Sequence, residues 1–296
     1  MIPAHITAIL DAWAAQPALL REANFAYRAE VLEELEVHVL DRLDDLLAAR
    51  PSPALSQLRS RALALQARLE AADQQLFARF RADIRAGRCR QDRLRALLMA
   101  YAAPAATSPG TAATSYDSLD TLTNGLFIEP TQPLEAQDRE PEMVYYQKTP
   151  ARIILELAAR LAPSDVFYDL GSGLGQVPLL VHLLSGARAR GIEIEPAYCR
   201  YAQACAGALN LPEVQFRCAD ARTADYADGT AFYLFTPFTG SIMAQVLARL
   251  RQLAQRRPLR LFSYGPSTGA LEQQAWLRRP EAGERHLYQL AEFHSG

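Results

Sequence analysis

Residues 166–176, Val-Phe-Tyr-Asp-Leu-Gly-Ser-Gly-Leu-Gly-Gln, decide the fold of this chain. The first five residues are mostly apolar and predict a buried strand. Gly171, Gly173 and Gly175 follow at alternate positions, where they permit a tight turn and let a ligand lie against bare backbone amides. An apolar run comes next and predicts a helix. A strand, a glycine turn and a helix in this order are typical of α/β domains that bind a nucleotide cofactor.

Beyond this stretch, short apolar segments alternate with helical ones as far as the C-terminus. Helices are predicted up to residue 184 and at 196–209 and 241–254, and strands at 166–170, 190–194, 214–218, 231–235, 259–264 and 287–293. This alternation predicts a mostly parallel sheet that is covered by helices on both faces. We therefore expect an α/β fold with a Rossmann-like, doubly wound sheet.

The N-terminal third of the chain predicts helices only. Apolar residues recur at three- and four-residue steps from Leu32 to Leu46 and again from Leu58 to Phe80, which places each set on one helical face. Two prolines between these sets end the first helix, and Gly87 ends the second. Neither apolar stripe can be buried alone, so we expect the helices to pack as a bundle or an antiparallel hairpin.

Composition divides the chain into three parts. The segment after residue 103 is rich in Ala, Thr, Ser, Pro and Gly, which is typical of a linker. A length of 296 residues, 50% of them hydrophobic, suits two domains. We expect an all-α N-terminal domain at residues 1–103, a linker or mobile loop at 104–130, and the α/β domain at 131–296.

Net charge and cysteine content argue against several classes of function. The net charge is −2, so no overall positive field attracts nucleic acid, and we do not expect a nucleic-acid partner. No apolar run reaches the roughly 18–20 residues that span a bilayer, and the first residues do not resemble a signal peptide. We expect a cytoplasmic protein without membrane contacts. The four cysteines form no Cys-x-x-Cys pair, which predicts reduced thiols and no metal site.

Charge is unevenly distributed within the helical region. Residues 1–49 carry nine acidic and three basic residues, whereas residues 50–95 carry four acidic and eleven basic residues. One interpretation is that helices of opposite charge pair with each other. The other is that the basic segment 79–95 binds an acidic substrate or partner. The sequence leaves both interpretations open.

The spacing of the three glycines distinguishes between ligands. A dinucleotide site uses Gly-x-Gly-x-x-Gly, with the pyrophosphate at the helix N-terminus. In this chain the third glycine comes one residue early, and Asp169 lies two residues before the first glycine. A carboxylate at that position repels pyrophosphate. It suits a ligand with an ammonium group, such as the methionine end of S-adenosylmethionine.

The segment from Asp169 to Val177 resembles motif I of the class I S-adenosylmethionine-dependent methyltransferases. Within that class it is most similar to the non-SET histone-lysine methyltransferases of the telomeric-silencing type. The general resemblance covers about Glu142 to Ser295, and the closer similarity is confined to the glycine loop and its flanks. The resemblance implies a seven-stranded sheet, S-adenosylmethionine as the cofactor, and methyl transfer as the reaction.

The same resemblance implies a set of cofactor-binding residues. Glu193, at the end of the second strand, matches the acid that takes the ribose hydroxyls, with Glu195 as a near alternative. Asp220 matches the acid that receives the adenine amino group. The complete cofactor-binding set comprises Tyr146, Thr149, Asp169, Gly171, Ser172, Gly173, Gly175, Gln176, Glu193 and Asp220.

The methyl acceptor is expected beside the end of the fourth strand. Thr236, Pro237 and Phe238 occupy the place where related enzymes that act on nitrogen often carry Asn/Asp-Pro-Pro-Tyr. The missing amide side chain argues against methylation of a planar amine, as in adenine or glutamine. We assign these three residues and Tyr146 to the catalytic site, with Tyr145 and Tyr116 as further pocket candidates. The acceptor is a protein or a small molecule, because similarity in a cofactor loop does not carry substrate choice.

Two other functions fit parts of the pattern. One is a catalytically silent module that binds the cofactor and uses the helical part to bind a partner. The other is a nicotinamide-dependent oxidoreductase, which shares the topology but requires the other glycine spacing. Measured turnover separates the first alternative from a methyltransferase, and a titration with NADH tests the second.

Overall fold

The structure is a computed structural model that describes residues 2–101, 117–127, 140–144, 146–280 and 286–296. The described residues fall into two compact units. The helical unit contains residues 2–82, 96–101 and 117–126, and the sheet unit contains residues 83–95, 127, 140–144, 146–280 and 286–296. The units do not follow chain order, because residues 83–95 belong to the sheet unit and residues 117–126 to the helical unit. The division at 1–103, 104–130 and 131–296 stays a prediction about sequence domains.

The N-terminal part of the chain is helical, as the sequence predicts. Its helices are α1 (Ile2–Ala14), α2 (Phe25–Glu34), α3 (Asp41–Ala49), α4 (Pro53–Arg85), α5 (Gln91–Tyr101) and α6 (Ser118–Asn124), with a π-helical turn at Leu35–Leu40 between α2 and α3. Residues from both predicted apolar stripes pack in one buried cluster, among them Leu35, Val39, Leu43, Leu58, Leu65 and Leu69. The two stripes therefore bury each other.

A buried ion pair holds the helical unit together. Arg28, on α2, is fully buried, and its Nε donates to Asp73 of α4 at 2.7 Å. The same guanidinium donates from Nη1 to the carbonyl of Leu19 at 2.7 Å. Burial raises the pKa of Asp73, and the Arg28 guanidinium opposes that shift. Since a lone buried charge is costly, each of the two residues depends on the other.

Exposed ion pairs join acidic and basic segments within the helical unit. Arg59 pairs with Asp44, Arg61 with Asp11, and Arg79 with Glu22. These contacts confirm the pairing of oppositely charged helices for these three arginines. A separate acidic partner for the rest of segment 79–95 stays a prediction.

Helix α6 lies inside the span that the sequence predicts as a linker. Asp117 accepts from the backbone N–H of Leu119 at 2.7 Å, and Asp120 accepts from the backbone N–H of Asp117 at 3.0 Å. This reciprocal capping box satisfies amides at the start of the helix, so a short helix forms within a segment of loop-like composition.

The sheet unit is built on seven strands, and the predicted fold class is confirmed. The strands are β1 (Val166–Leu170), β2 (Arg188–Glu193), β3 (Val214–Cys218), β4 (Ala231–Leu234), β5 (Arg260–Ser263), β6 (Leu277–Arg278) and β7 (Ala291–Ser295). Their order is β3-β2-β1-β4-β5-β7-β6. The first five strands are parallel, and β7 is antiparallel to both neighbours.

Helices complete the sheet unit: α7 (Ala151–Ala159), α8 (Gln176–Ser185), α9 (Pro196–Ala208), α10 (Gly240–Ala254) and α11 (Ser267–Glu272). All five residues of β1 are buried, as expected for a central parallel strand with both faces covered. None of the helices in the described ranges combines the length and the apolar character needed to cross a membrane.

The last strand differs from its predicted position at 287–293. It begins at Ala291, because its residues pair with β5 in a register that joins Ser263 to Ala291 and Arg260 to His294. Leu287 and Tyr288 resemble strand residues in sequence, yet they lie in a turn and are 52% and 44% exposed. Strand β6 and helix α11 have too few residues to show a periodic pattern.

Replacement of Asp73 by Ala tests the buried ion pair. We expect Asp73→Ala to lower the free energy of unfolding by about 3–5 kcal/mol, because Arg28 keeps its charge and loses its counterion. Asp44→Ala removes an exposed partner and is the control, with an expected loss below about 1 kcal/mol. Urea unfolding of the full chain, followed by far-ultraviolet circular dichroism, measures both. Equal losses would contradict the assignment.

Candidate active site

A cleft with a volume of about 310 Å³ opens at the carboxyl ends of the parallel strands. Its walls come from the ends of β1, β2 and β4 and from residues of the 140–149 segment. The chain order of the strands reverses between β1 and β4, which are adjacent in the sheet. This is the switch point at which open α/β sheets bind their ligands.

The glycine loop after β1 makes two very close contacts. A Cβ added at Gly171 would lie 2.2 Å from Cβ of Pro237, and one added at Gly173 would lie 2.2 Å from the ring of Tyr146. Both glycines also have positive φ angles, +86° and +52°. Glycine is therefore required at both positions, because backbone conformation and space each exclude a side chain.

Gly175 packs closely against α9 and β3. It precedes the first residue of α8 with φ +80°, and an added Cβ would lie 2.6 Å from Cβ of Ala202 and from the Phe216 ring. It is not among the residues that line the cleft, and its assignment to the cofactor stays a prediction. Ser172 lines the cleft, and its Oγ also lies against Gly191 of β2.

Asp169 is the fourth residue of β1 and is 4% exposed. It stands beside Tyr233 of β4 and Gly191 of β2 in the strand register. Burial raises the pKa of Asp169 well above its usual value, and the negative charge of Glu193 adds to the effect. A positively charged ligand group would relieve both causes.

Glu193 ends β2 and is held by backbone amides. Its two carboxylate oxygens accept from the N–H of Gly173 at 2.7 Å and from the N–H of Glu195 at 2.8 Å. Burial raises its pKa, and these hydrogen bonds act in the opposite direction. The carboxylate is thus fixed between the glycine loop and the start of α9, with lone pairs left for a ligand.

Asp220 lies in the cleft and is bound by Arg222. The Nε of Arg222 donates to Asp220 at 2.8 Å, and the pair also forms a salt bridge at 2.6 Å. This hydrogen bond is the main reason that the pKa of Asp220 is lowered. Arg222 also pairs with Glu140 at 2.5 Å, which links the start of the 140–149 segment to this wall of the cleft.

Residues 142–144 are anchored to the segment that follows β4. The N–H of Val144 donates to the carbonyl of Pro237 at 3.2 Å, and the N–H of Thr239 donates to the carbonyl of Glu142 at 2.8 Å. The Glu142 carboxylate caps α10, because it accepts from the hydroxyl of Ser241 at 2.7 Å and from the backbone N–H of Ile242 at 3.0 Å. The contacts from Ser241 lower the pKa of Glu142. These hydrogen bonds, which we call the Glu142 clamp, join the two walls of the cleft that carry Met143 and Phe238. We call this part of the cleft the acceptor side, because the methyl acceptor is expected there.

Thr236 has a strained backbone and a buried hydroxyl. Its φ is +45°, a conformation that β-branched residues rarely adopt. Its N–H donates to Oγ of Ser267 at 2.8 Å, whereas its own Oγ1 has no hydrogen-bond partner within the described residues. Phe238 is buried and pairs with Met143 through an isolated bridge. A strained residue with an unsatisfied buried group at a cleft is a candidate ligand contact.

The structure brings most of the predicted residues to one place. The cleft is lined by Tyr146, Thr149, Asp169, Gly171, Ser172, Gly173, Gln176, Glu193, Asp220, Thr236, Pro237 and Phe238, and also by Glu195, the near alternative to Glu193. Tyr116 and Tyr145 lie outside the described residues.

The cleft residues that sequence reasoning missed include two tyrosines. Tyr233 hydrogen-bonds Thr149 at 3.1 Å, and the ring of Tyr198 lies 5.8 Å from that of Tyr146. The position of Tyr233 at the end of a predicted strand was an available signal, whereas Tyr198 sits in a helix and gave none. The described residues contain no cluster of three or more His, Cys, Asp or Glu side chains that could hold a metal ion.

Together, the strand order, the glycine loop between two acidic strand ends and the cleft above them define the class I methyltransferase fold. Residues 143–215 match the family model described as Histone methylation protein DOT1. Residues 143–215 are accordingly similar to a methyltransferase family, within a domain that has the class I methyltransferase fold. A comparison with curated proteins gives no match.

Solved structures with similar folds include three from prokaryotes. An RNA methyltransferase from Salinibacter ruber in complex with S-adenosyl-L-homocysteine is 25% identical, with 50% of this chain and 92% of that one covered and a TM-score of 0.40. The precorrin-6y C5,15-methyltransferase from Geobacter metallireducens GS-15 is 16% identical, with coverages of 51% and 89% and a TM-score of 0.37. The PH0226 protein from Pyrococcus horikoshii OT3 is 14% identical, with coverages of 49% and 89% and a TM-score of 0.41. Because these TM-scores are low, we draw nothing about this chain from the three structures.

Gly171→Ala tests the close approach of Pro237 to the loop. We expect it to lower both the affinity for S-adenosylhomocysteine, by at least about tenfold, and the free energy of unfolding, by about 2 kcal/mol. Gly207→Ala is the matched control, because an added Cβ there meets nothing within 4 Å and the residue lies in α9. Calorimetric titration and thermal unfolding measure the two effects. Unchanged binding by Gly171→Ala would show that the loop is not part of the cofactor site.

Proposed function

We propose that the protein transfers the methyl group of S-adenosylmethionine to a protein or small-molecule acceptor. The acceptor enters between the Thr236–Phe238 segment and Tyr146. One observation carries this proposal: Pro237 and Tyr146 both press on the glycine loop, so the acceptor-side residues adjoin the loop assigned to the methionine end of the cofactor.

Each cofactor-binding residue has a task that follows from its chemistry. Asp169 binds the ammonium group, and Gly171 and Gly173, which have no side chains, leave room for the rest of the methionine end. Glu193 accepts hydrogen bonds from the ribose hydroxyls, which its two oxygens can do at once. Asp220 receives the adenine amino group while Arg222 holds it in position.

The remaining residues of the assigned set close the cofactor end of the cleft. Tyr146 covers Gly173, and Thr149 is fixed by its hydrogen bond to Tyr233. Ser172 and Gln176 belong to the loop and to the first turn of α8. Gly175 packs against Ala202 and Phe216, and its part in this set stays a prediction.

When bound, the cofactor supplies an electrophilic methyl group on a sulfonium sulfur. Loss of that methyl group leaves a neutral thioether. The chain has to align the acceptor with that methyl group and to exclude water, so we assign no acid–base pair. Phe238 and Pro237 form the apolar wall beside the transfer. The Thr236 hydroxyl, buried and unpartnered within the described residues, orients the acceptor atom.

Proton release on binding tests the role of Asp169. Since burial and Glu193 raise its pKa, an ammonium ligand must displace a proton from Asp169 at pH values below that raised pKa. We expect the affinity for S-adenosylhomocysteine to rise with pH by at most about tenfold per unit, up to the raised pKa. Calorimetry in buffers of different ionisation enthalpy counts the protons released.

Two substitutions sharpen this measurement. Asp169→Asn is expected to abolish the proton release and to weaken binding. It is also expected to stabilise the folded protein at neutral pH, because a pKa raised by folding means that ionisation of Asp169 costs folding stability above its ordinary pKa. Asp220→Asn is the control, since the lowered pKa of Asp220 implies no proton release there. A proton count of zero for the unaltered protein would contradict the assignment.

Transfer of labelled methyl groups tests the proposed activity as a whole. We expect the protein to label at least one component of a cell extract when methyl-labelled S-adenosylmethionine is added. Gly173→Arg is expected to abolish labelling, because its side chain enters the space beside Tyr146. Gly207→Arg places the same residue at an exposed site with no atom near the added Cβ and is expected to retain labelling.

Three outcomes would contradict parts of this proposal. Cofactor binding without any labelled product would favour the catalytically silent module. Equal labelling by both arginine variants would remove the glycine loop from the site. Fluorescence enhancement of added NADH, without binding of S-adenosylhomocysteine, would favour the oxidoreductase.

A further inference from the structure

Two cysteines from different elements meet next to the segment that carries Glu193. Cys218 is the last residue of β3 and pairs with Glu193 in the register of β2 and β3. Cys199 lies in the first turns of α9, and its N–H donates to the carbonyl of Glu195. The Sγ atoms of Cys199 and Cys218 lie beside the carbonyl oxygens of two consecutive residues, Glu193 and Ile194, at 3.8 and 3.7 Å. Residues 19 positions apart in sequence therefore form a dithiol pair.

Both thiols also bind the backbone of the cofactor segment. The Sγ of Cys199 donates to the carbonyl of Glu193 at 3.8 Å, and the Sγ of Cys218 donates to the carbonyl of Ile194 at 3.7 Å. Glu193 and Ile194 line the cleft, and the Glu193 carboxylate is the group assigned to the ribose. The sulfur atoms thus lie directly behind residues that face the cofactor.

The two thiols differ in environment. Cys199 is 6% exposed, and burial, followed by the neighbouring Cys218 and Glu193, raises its pKa to about 12. Cys218 is exposed to solvent. Cys89 and Cys205 are both buried. A reagent from solution therefore reaches Cys218 first, and Cys199 is the thiol placed to react second.

We propose that Cys199 and Cys218 form a modification site that takes up an internal disulfide by exchange with a low-molecular-weight disulfide, and that this bond weakens cofactor binding. The effect on binding rests on the proposed function. The formation of the bond does not.

The exchange balances in two steps. The Cys218 thiolate, having lost its proton to solvent, attacks one sulfur of the small disulfide, forms a mixed disulfide and releases one small thiol. Cys199 then loses its proton to solvent and attacks Sγ of Cys218, which forms the internal bond and releases the second small thiol. Two protein thiols are oxidised, and one small disulfide is reduced to two thiols.

The new bond acts on the cofactor segment in two ways. The carbonyls of Glu193 and Ile194 lose the S–H donors that they have in the reduced protein. The bond also ties the first turns of α9 to the end of β3, across the segment that positions the Glu193 carboxylate. We expect the affinity for S-adenosylhomocysteine to fall about tenfold, the loss expected when one charge-assisted hydrogen bond is weakened.

The experiment treats the full chain with glutathione disulfide and reads two signals. Peptide mapping by mass spectrometry identifies the Cys199–Cys218 bond, independently of any ligand. Calorimetry compares the affinity for S-adenosylhomocysteine before oxidation, after it, and after re-reduction with dithiothreitol. A mapped bond together with a reversible loss of affinity is the expected result.

Cys218→Ser is the matched variant, because its hydroxyl can still donate to Ile194 but cannot form the bond. Its affinity is compared with and without glutathione disulfide, and we expect no difference. If Cys218→Ser folds poorly, Cys199→Ala takes its place, and we expect its affinity for S-adenosylhomocysteine to be the same with and without glutathione disulfide. Absence of the mapped bond overturns the proposal, and so does a bond with unchanged affinity. If the reduced protein does not bind S-adenosylhomocysteine, the proposed function fails, and the mapped bond alone decides whether the modification site stands.

Discussion

The close approach of Pro237 to Gly171 and of Tyr146 to Gly173, two residues without side chains, is the constraint on which the site depends. Glycine at 171 and 173 lets the 146 region and the segment after β4 reach the carboxyl end of β1. Without that approach, the ends of the parallel strands would face open solvent. With it, they form the floor of a cleft whose walls come from parts of the chain about 90 residues apart.

The acidic residues on that floor reduce the stability of the empty fold. Asp169 and Glu193 are both buried, burial raises the pKa of both carboxyl groups, and the charge of Glu193 raises the pKa of Asp169 further. Hydrogen bonds from the backbone amides of Gly173 and Glu195 offset the cost of burying the Glu193 charge. A positively charged ligand would do the same for the Asp169 charge. The same arrangement that disfavours the empty site therefore supports the proposed binding of an ammonium group by Asp169.

The order of strands and helices, the glycine loop and the acid before it could be predicted from sequence because each depends on neighbours along the chain. Contacts between distant residues could not. The cap that Glu142 places on α10 joins residues 99 and 100 positions apart, and no local pattern marks it. The start of β7 was misplaced for the same reason, since pairing with β5 sets it and the apolar character of Leu287 does not. Helix α6 depends on the side chains of Asp117 and Asp120 in a segment whose composition favours a loop.

The acceptor side combines rigidity with one unsatisfied group. The Glu142 clamp and the bridge between Met143 and Phe238 fix the two walls, and the positive φ of Thr236 is maintained by the hydrogen bond from its N–H to Ser267. Such strain persists only where the surroundings enforce it. The Thr236 hydroxyl is then held in a dry position where the described residues offer it no partner. Under the proposed function, a rigid apolar wall with a single oriented hydroxyl would select an acceptor by shape and by one hydrogen bond, and it would leave the reactivity to the sulfonium.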